Sequence, residues 1–124
     1  MSNISLSLGR QGEKLAAEYL QKKGFAIVHK NFRSGKGELD LICHKDSDLI
    51  IVEVKSVRSP HWGYGEERIS RNKQRMIIRT TYAFLDRYPK FKGMGVRFDV
   101  VIVNFFNYPV QIVHYSGAFW ESTR

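Results

Sequence analysis

The sequence holds a single cysteine, Cys43, which excludes an internal disulfide and suits a reducing compartment. No apolar run approaches the roughly 20 residues of a membrane-spanning helix, and the start of the chain lacks the basic-then-apolar order of a secretory leader. A cytoplasmic location with no membrane partner is therefore expected. Linkers and internal repeats are also lacking, so the 124 residues are expected to form one domain over 1–124. His29 and His44 lack the paired spacing of a metal site and are expected at the surface or at strand ends. Acid is scarce too: 12 Asp plus Glu face 20 Lys plus Arg, a formal charge of +8 with a pI near 9.8. Such an excess favours a polyanionic partner, nucleic acid before membrane.

What is present centres on residues 37–55, where two apolar-rich runs flank the polar segment Lys45-Asp46-Ser47-Asp48. The pattern is that of two strands joined by a tight hairpin. Alternation places Glu38, Asp40 and Ile42 on one face of the first strand, and Leu49, Ile51, Glu53 and Lys55 on one face of the second. A turn centred between Asp46 and Ser47 sets Ile42 opposite Ile51, Asp40 opposite Glu53 and Glu38 opposite Lys55. Two carboxylates facing each other among apolar neighbours repel. A Mg²⁺ or Mn²⁺ ion would relieve that repulsion, because such ions take hard oxygen ligands and often only one or two carboxylates. Asp40 and Glu53 are thus the candidate metal ligands, and Lys55 would aim its ammonium at the same spot. A strand carrying an edge salt bridge would account for the same residues without chemistry. Cys43 alternates with Leu39 and Leu41 on the face away from Asp40, as a buried inert thiol would.

Residues 8–23 read as an amphipathic helix capped by Ser7 and stopped at Gly24. Glu13 lies at the edge of its apolar stripe, the acid best placed to look toward the sheet. Gly9 and Gly12 beside it mark either close approach of another backbone or substrate, or fraying at the helix start. A first strand is expected over 25–32, then a flexible basic connection containing Arg33 and Lys36. After Lys55 comes a Pro- and Gly-marked loop in which Trp62 or Tyr64 could stack on a base, although ordinary packing explains them as well. A second helix over 71–88, capped by Ser70, turns Met76, Ile77, Thr80, Ala83 and Phe84 inward. Arg68, Arg71, Arg75 and Arg79 form its basic flank, and Lys73 projects toward the sheet, where it needs an anionic neighbour. Strands over 96–103 and 110–115 follow, with Arg97 and Asp99 on one face paired to each other. The order implies an α/β fold with a mixed central sheet flanked by helices.

Asp40, followed by Glu53-Val54-Lys55, resembles the Asp…(Asp/Glu)-x-Lys site of restriction-endonuclease-like metal nucleases. Over nearly the whole chain the sequence resembles the YraN-like family of bacterial endonuclease-type proteins within that superfamily. The matching blocks are Gly9-Arg10-Gln11-Gly12-Glu13 with Ala16, Tyr19 and Leu20; Asn31-Phe32-Arg33; Gly37 to Ile42; Val52 to Lys55; Lys73; and Arg97-Phe98-Asp99-Val100. One position departs, since the family tends to carry Arg two residues after the lysine, where this chain has Val57 and then Arg58. The resemblance implies a restriction-endonuclease-like fold and an acid from the first helix joining the site, as in archaeal Holliday-junction resolvases, which fits Glu13. It also implies that the Val54 carbonyl joins the metal shell.

The function expected is metal-dependent phosphodiester hydrolysis in nucleic acid, DNA in the first instance. Glu13, Asp40, Glu53 and Lys55 are the catalytic candidates, and Arg33, Lys36, Arg58, Lys73 and Arg75 the nucleic-acid contacts. Two-fold pairing into a homodimer would suit a branched or duplex substrate. A nucleic-acid-binding module without catalysis and a protein-interaction subunit are the rival expectations.

Overall fold

A computed structural model describes residues 2–58 and 69–121, with side chains described from Leu8 onward. Helix α1 covers Ser2–Lys22, strand β1 Ala26–Ser34, β2 Gly37–Lys45, β3 Asp48–Val57, helix α2 Arg71–Arg87, β4 Gly95–Asn104 and β5 Gln111–Phe119. The five strands form one sheet in the order β1-β2-β3-β4-β5. Neighbours are antiparallel except β3 and β4, which run parallel because α2 carries the chain across between them. This is the α/β architecture of the restriction-endonuclease-like kind, a mixed sheet with a helix on each face.

Two apolar layers hold it. Ala16, Ala17 and Leu20 of α1 pack on Leu41, Cys43, Ile50 and Val52, while Ile77, Phe84 and Leu85 of α2 pack on Leu39, Ile42, Ile51 and Phe98. The central strands are buried on both faces and so read as continuous hydrophobic runs. Gly24, at a φ of 93°, closes α1 as Phe25 N–H donates to the Leu20 carbonyl at 3.0 Å. At the other helix, the Ser70 side chain accepts from Lys73 N–H at 3.2 Å.

Several expectations change. The first helix begins at Ser2, so Ser7 lies inside it and is no cap. Close approach explains one of its two glycines: a Cβ on Gly12 would collide with Ser56 Oγ of β3, whereas Gly9 has no such neighbour. The basic connection after β1 shrinks to a turn at Gly35 and Lys36. β5 runs on to Phe119, because Gly117 takes a φ of 61° and its N–H donates to buried Asp99. His29 is half-buried within β1, its ring meeting Phe32 and Phe84 edge-on, whereas His44 is exposed near the end of β2. Trp62, Tyr64 and Arg68 lie outside the described residues.

Arg97 does pair with Asp99, through Nε at 2.9 Å and Nη2 at 3.0 Å. His114, which the sequence did not signal, adds a third contact at 2.7 Å. Burial pushes the Asp99 carboxyl up, but hydrogen bonds from His114, Arg97 and Gly117 outweigh it and leave its pKa lowered. Burial, with the Asp99 charge nearby, pushes the Cys43 thiol up to about 12, the inert state expected of it.

Candidate active site

Hairpin β2–β3 has the expected register. Lys45 pairs with Asp48 and Ile42 with Ile51, and Asp46 supports the two-residue turn at a φ of 56°. The paired ladder stops at Leu41 and Val52. Beyond it, Asp40 uses its side chain where a backbone carbonyl would be, accepting from Val54 N–H at 2.9 Å. Alternation also breaks there: Leu39 packs on the α2 side and Leu41 on the α1 side, so Leu39 does not share a face with Cys43 as expected. The two strands thus part at the acids, and the gap opens toward α1.

That opening is a cleft of about 460 Å³ lined by Leu8, Gly9, Glu13, Asp40, Glu53, Val54, Ser56 and Arg58. Three carboxyl groups from three elements therefore share one open space. Asp40 and Glu53 lie close enough to act on each other's titration, and a proton held by either could be shared with the other. Burial first, then the Asp40 charge, pushes the Glu53 carboxyl up to about 7, against the opposing pull of Lys73. Asp40 is also raised by burial, despite the Val54 N–H, and Glu13 by burial and by Asp40. Lys73 has the anionic neighbour its position called for: its Nζ lies 3.3 Å from Glu53 Oε2, with the glutamate side chain only 13% exposed.

Lys55 shares its face of β3 with Glu53 and Ile51 but is not among the residues lining the cleft. Glu38 does not reach it either. With the strands parted, Glu38 turns to Arg33 on β1, Nε to Oε2 at 3.4 Å. The basic candidates do not form one patch. Arg58 stands at the cleft and Lys73 at Glu53, whereas Lys36 and Arg75 line separate hollows on the α2 side.

Asn31 was quoted in the sequence pattern without a role. It has a left-handed φ of 56°, and with its amide nitrogen turned to the acids it donates to Glu13 Oε1 at 3.1 Å and Glu38 Oε2 at 3.2 Å. A single amide thereby spaces two carboxylates from different elements. The signal was an asparagine interrupting an apolar strand, a residue type that tolerates the left-handed region. Among the described residues, no three acidic, histidine or cysteine side chains converge tightly enough to hold a metal unaided. Also among these, no helix is long and apolar enough to cross a membrane.

A family model described as "Uncharacterised protein family UPF0102" matches residues 12–103, a span that contains every candidate residue named above. The chain is 39% identical over 116 residues to a UPF0102 protein of Syntrophomonas wolfei subsp. wolfei, covering 94% of this chain and 100% of that one. It is 42% identical over 112 residues to a UPF0102 protein of Persephonella marina, covering 90% and 91%. A third relative, the UPF0102 protein of Caldicellulosiruptor saccharolyticus, is 44% identical over 96 residues, or 77% and 80% of the two chains.

Proposed function

The chain belongs to the uncharacterised protein family UPF0102, in keeping with its YraN-like pattern, and from the acids its fold gathers we propose that it is a metal-dependent endonuclease hydrolysing phosphodiester bonds in nucleic acid, DNA in the first instance. The observation that carries this reading is the adjoining pair Asp40 and Glu53 at the mouth of a parted hairpin, open to a cleft large enough for a phosphate and its waters.

The donor set fits one kind of ion. Two carboxylates and the Val54 carbonyl are hard oxygens, too few for a closed protein cage, which suits Mg²⁺ or Mn²⁺ with waters and phosphate completing the shell. Zn²⁺ would favour nitrogen and sulfur ligands in a fuller protein set. Asp40, Glu53 and the Val54 carbonyl would hold the ion, and Glu13 would join through water. When bound, it supplies Lewis-acid charge to the phosphodiester and lowers the pKa of the attacking water.

The remaining work falls to the chain. Lys73 gives Glu53 a partner, and its half-exposed ammonium would also be in reach of a phosphate oxygen of substrate beside that carboxylate. Lys55, two residues along the strand from Glu53, stabilises the negative charge that develops on phosphorus-bound oxygen. Arg58 at the cleft, and Arg33, Lys36 and Arg75 further out, contact backbone phosphates and set orientation without reading sequence.

A nucleic-acid-binding module without cleavage is the second reading. It is favoured by the Lys73–Glu53 contact, which already brings positive charge to the acids. The test is an assay of purified protein on single-stranded, duplex, flapped and four-way DNA, and on RNA, with Mg²⁺ or Mn²⁺. Asp40→Asn should lower cleavage at least about 100-fold and leave binding in place. Equal cleavage by wild type and Asp40→Asn would dismiss this catalytic site.

A further inference from the structure

A second concave surface lies on α2. Arg71, Arg75 and Arg79 line a trough of about 480 Å³ closed at its far wall by Tyr82 and Trp120. Against it lies a smaller hollow of about 200 Å³, walled by Leu85, Val96 and Phe98 and sharing Tyr82 and Trp120 with the trough. Trp120 is 62% exposed and Tyr82 50%, and unlike the exposed Phe106 and Tyr108 of the β4–β5 turn these two line one concave surface together. Neither is loosely held. Gly117 turns at a φ of 61° so that the Trp120 ring lies on its backbone, and Phe119 next to it stacks on Phe98 at 4.9 Å. The Tyr82 hydroxyl donates to the Glu121 carboxylate, among the described residues the one acid lining the trough, so three guanidinium groups face a single carboxylate and positive charge is in excess.

We propose that this face binds a single-stranded segment of nucleic acid, with an unpaired base against Trp120 and its flanking phosphates on Arg71, Arg75 and Arg79. The proposal rests on the nucleic-acid reading above but not on cleavage. The chemistry is two-part, as in a nucleotide: a flat apolar hollow smaller than a drug-sized pocket, beside a row of cations one helical turn apart. Base-on-aromatic stacking tolerates any base, and arginine adds phosphate contact. Bases in a duplex are already stacked on each other and cannot use the indole, so the face selects unpaired strand. Trp120 lies beyond the segment matched by the family model, whereas the three arginines and Tyr82 lie within it.

The test is fluorescence anisotropy of a labelled oligothymidylate of roughly 12 nucleotides, and of a duplex of equal length, titrated with the full chain in chelator at low salt. Trp120→Ala should weaken single-strand binding about tenfold and Trp120→Phe should retain it, with duplex affinity changed less than about twofold in both. Arg79→Glu, on an exposed helix position that cannot unfold the core, should weaken both probes and flatten their salt dependence. Single-strand affinity unchanged in both Trp120→Ala and Arg79→Glu would overturn the proposal. So would displacement by polyglutamate as effective as by unlabelled oligothymidylate, the mark of an acidic-peptide site. Asp40→Asn separates this surface from catalysis. Cleavage absent throughout with this binding intact removes the nuclease reading alone; cleavage intact with both Trp120→Ala and Arg79→Glu silent removes this surface alone.

Discussion

Glu53 and Asp99 are both buried acids, yet their surroundings act on them with opposite sign. Burial and Asp40 raise Glu53 to about 7. In the metal-free protein its contribution is therefore greatest below the unfolded value near 4.5 and is lost as pH rises through 7. Glu53→Gln should accordingly stabilise the metal-free fold at pH 8 by about 1–3 kcal/mol in urea titration. Asp99 has a lowered pKa, so its contribution is present above the unfolded value near 3.8 and lost as pH falls through the lower folded one. Asp99→Asn should cost about 3 kcal/mol at pH 7, because Arg97 and His114 lose a buried anionic partner, and the cost should shrink on acidification below about pH 4. A cost independent of pH would mean that His114 and Arg97 do not act on the charge.

At the scale of elements, α1 reaches the site only because Gly12 has no side chain where Ser56 of β3 packs, with Ser56 Oγ donating to the Leu8 carbonyl at 3.4 Å. Gly12→Val should cost about 1–3 kcal/mol and draw Glu13 out of the cleft. Ser56→Gly in the same chain should return most of that loss, a coupling readable in a double-mutant cycle. The hairpin that carries the acids was legible from residue pattern alone, since the polar Lys45–Asp48 turn fixes its register as far as Leu41 and Val52. Its parting beyond Leu41 was not, because periodicity counts faces and cannot see a side chain standing in for a ladder carbonyl. The same limit hid Asn31 and His114, whose partners come from strands and helices far apart in sequence. Lys73 was legible because a lysine on an apolar helix face demands an anion.

For the whole molecule, a net charge of +8, with arginines along α2 and Arg33 and Lys36 about the β1–β2 turn, predicts nucleic-acid affinity that falls steeply with salt. Arg58→Ala should reduce the slope of log K against log salt by about 1 for every probe alike, as loss of one phosphate contact requires. A slope unchanged in that variant would remove Arg58 from the contact surface. The central claim, that Asp40 and Glu53 together hold a divalent ion, is tested most directly by Mn²⁺ titration followed by electron paramagnetic resonance. The account predicts one bound Mn²⁺ per wild-type chain and its loss in both Asp40→Asn and Glu53→Gln with circular dichroism unchanged. Stoichiometric binding that survives both substitutions, or none in the wild type, would contradict it.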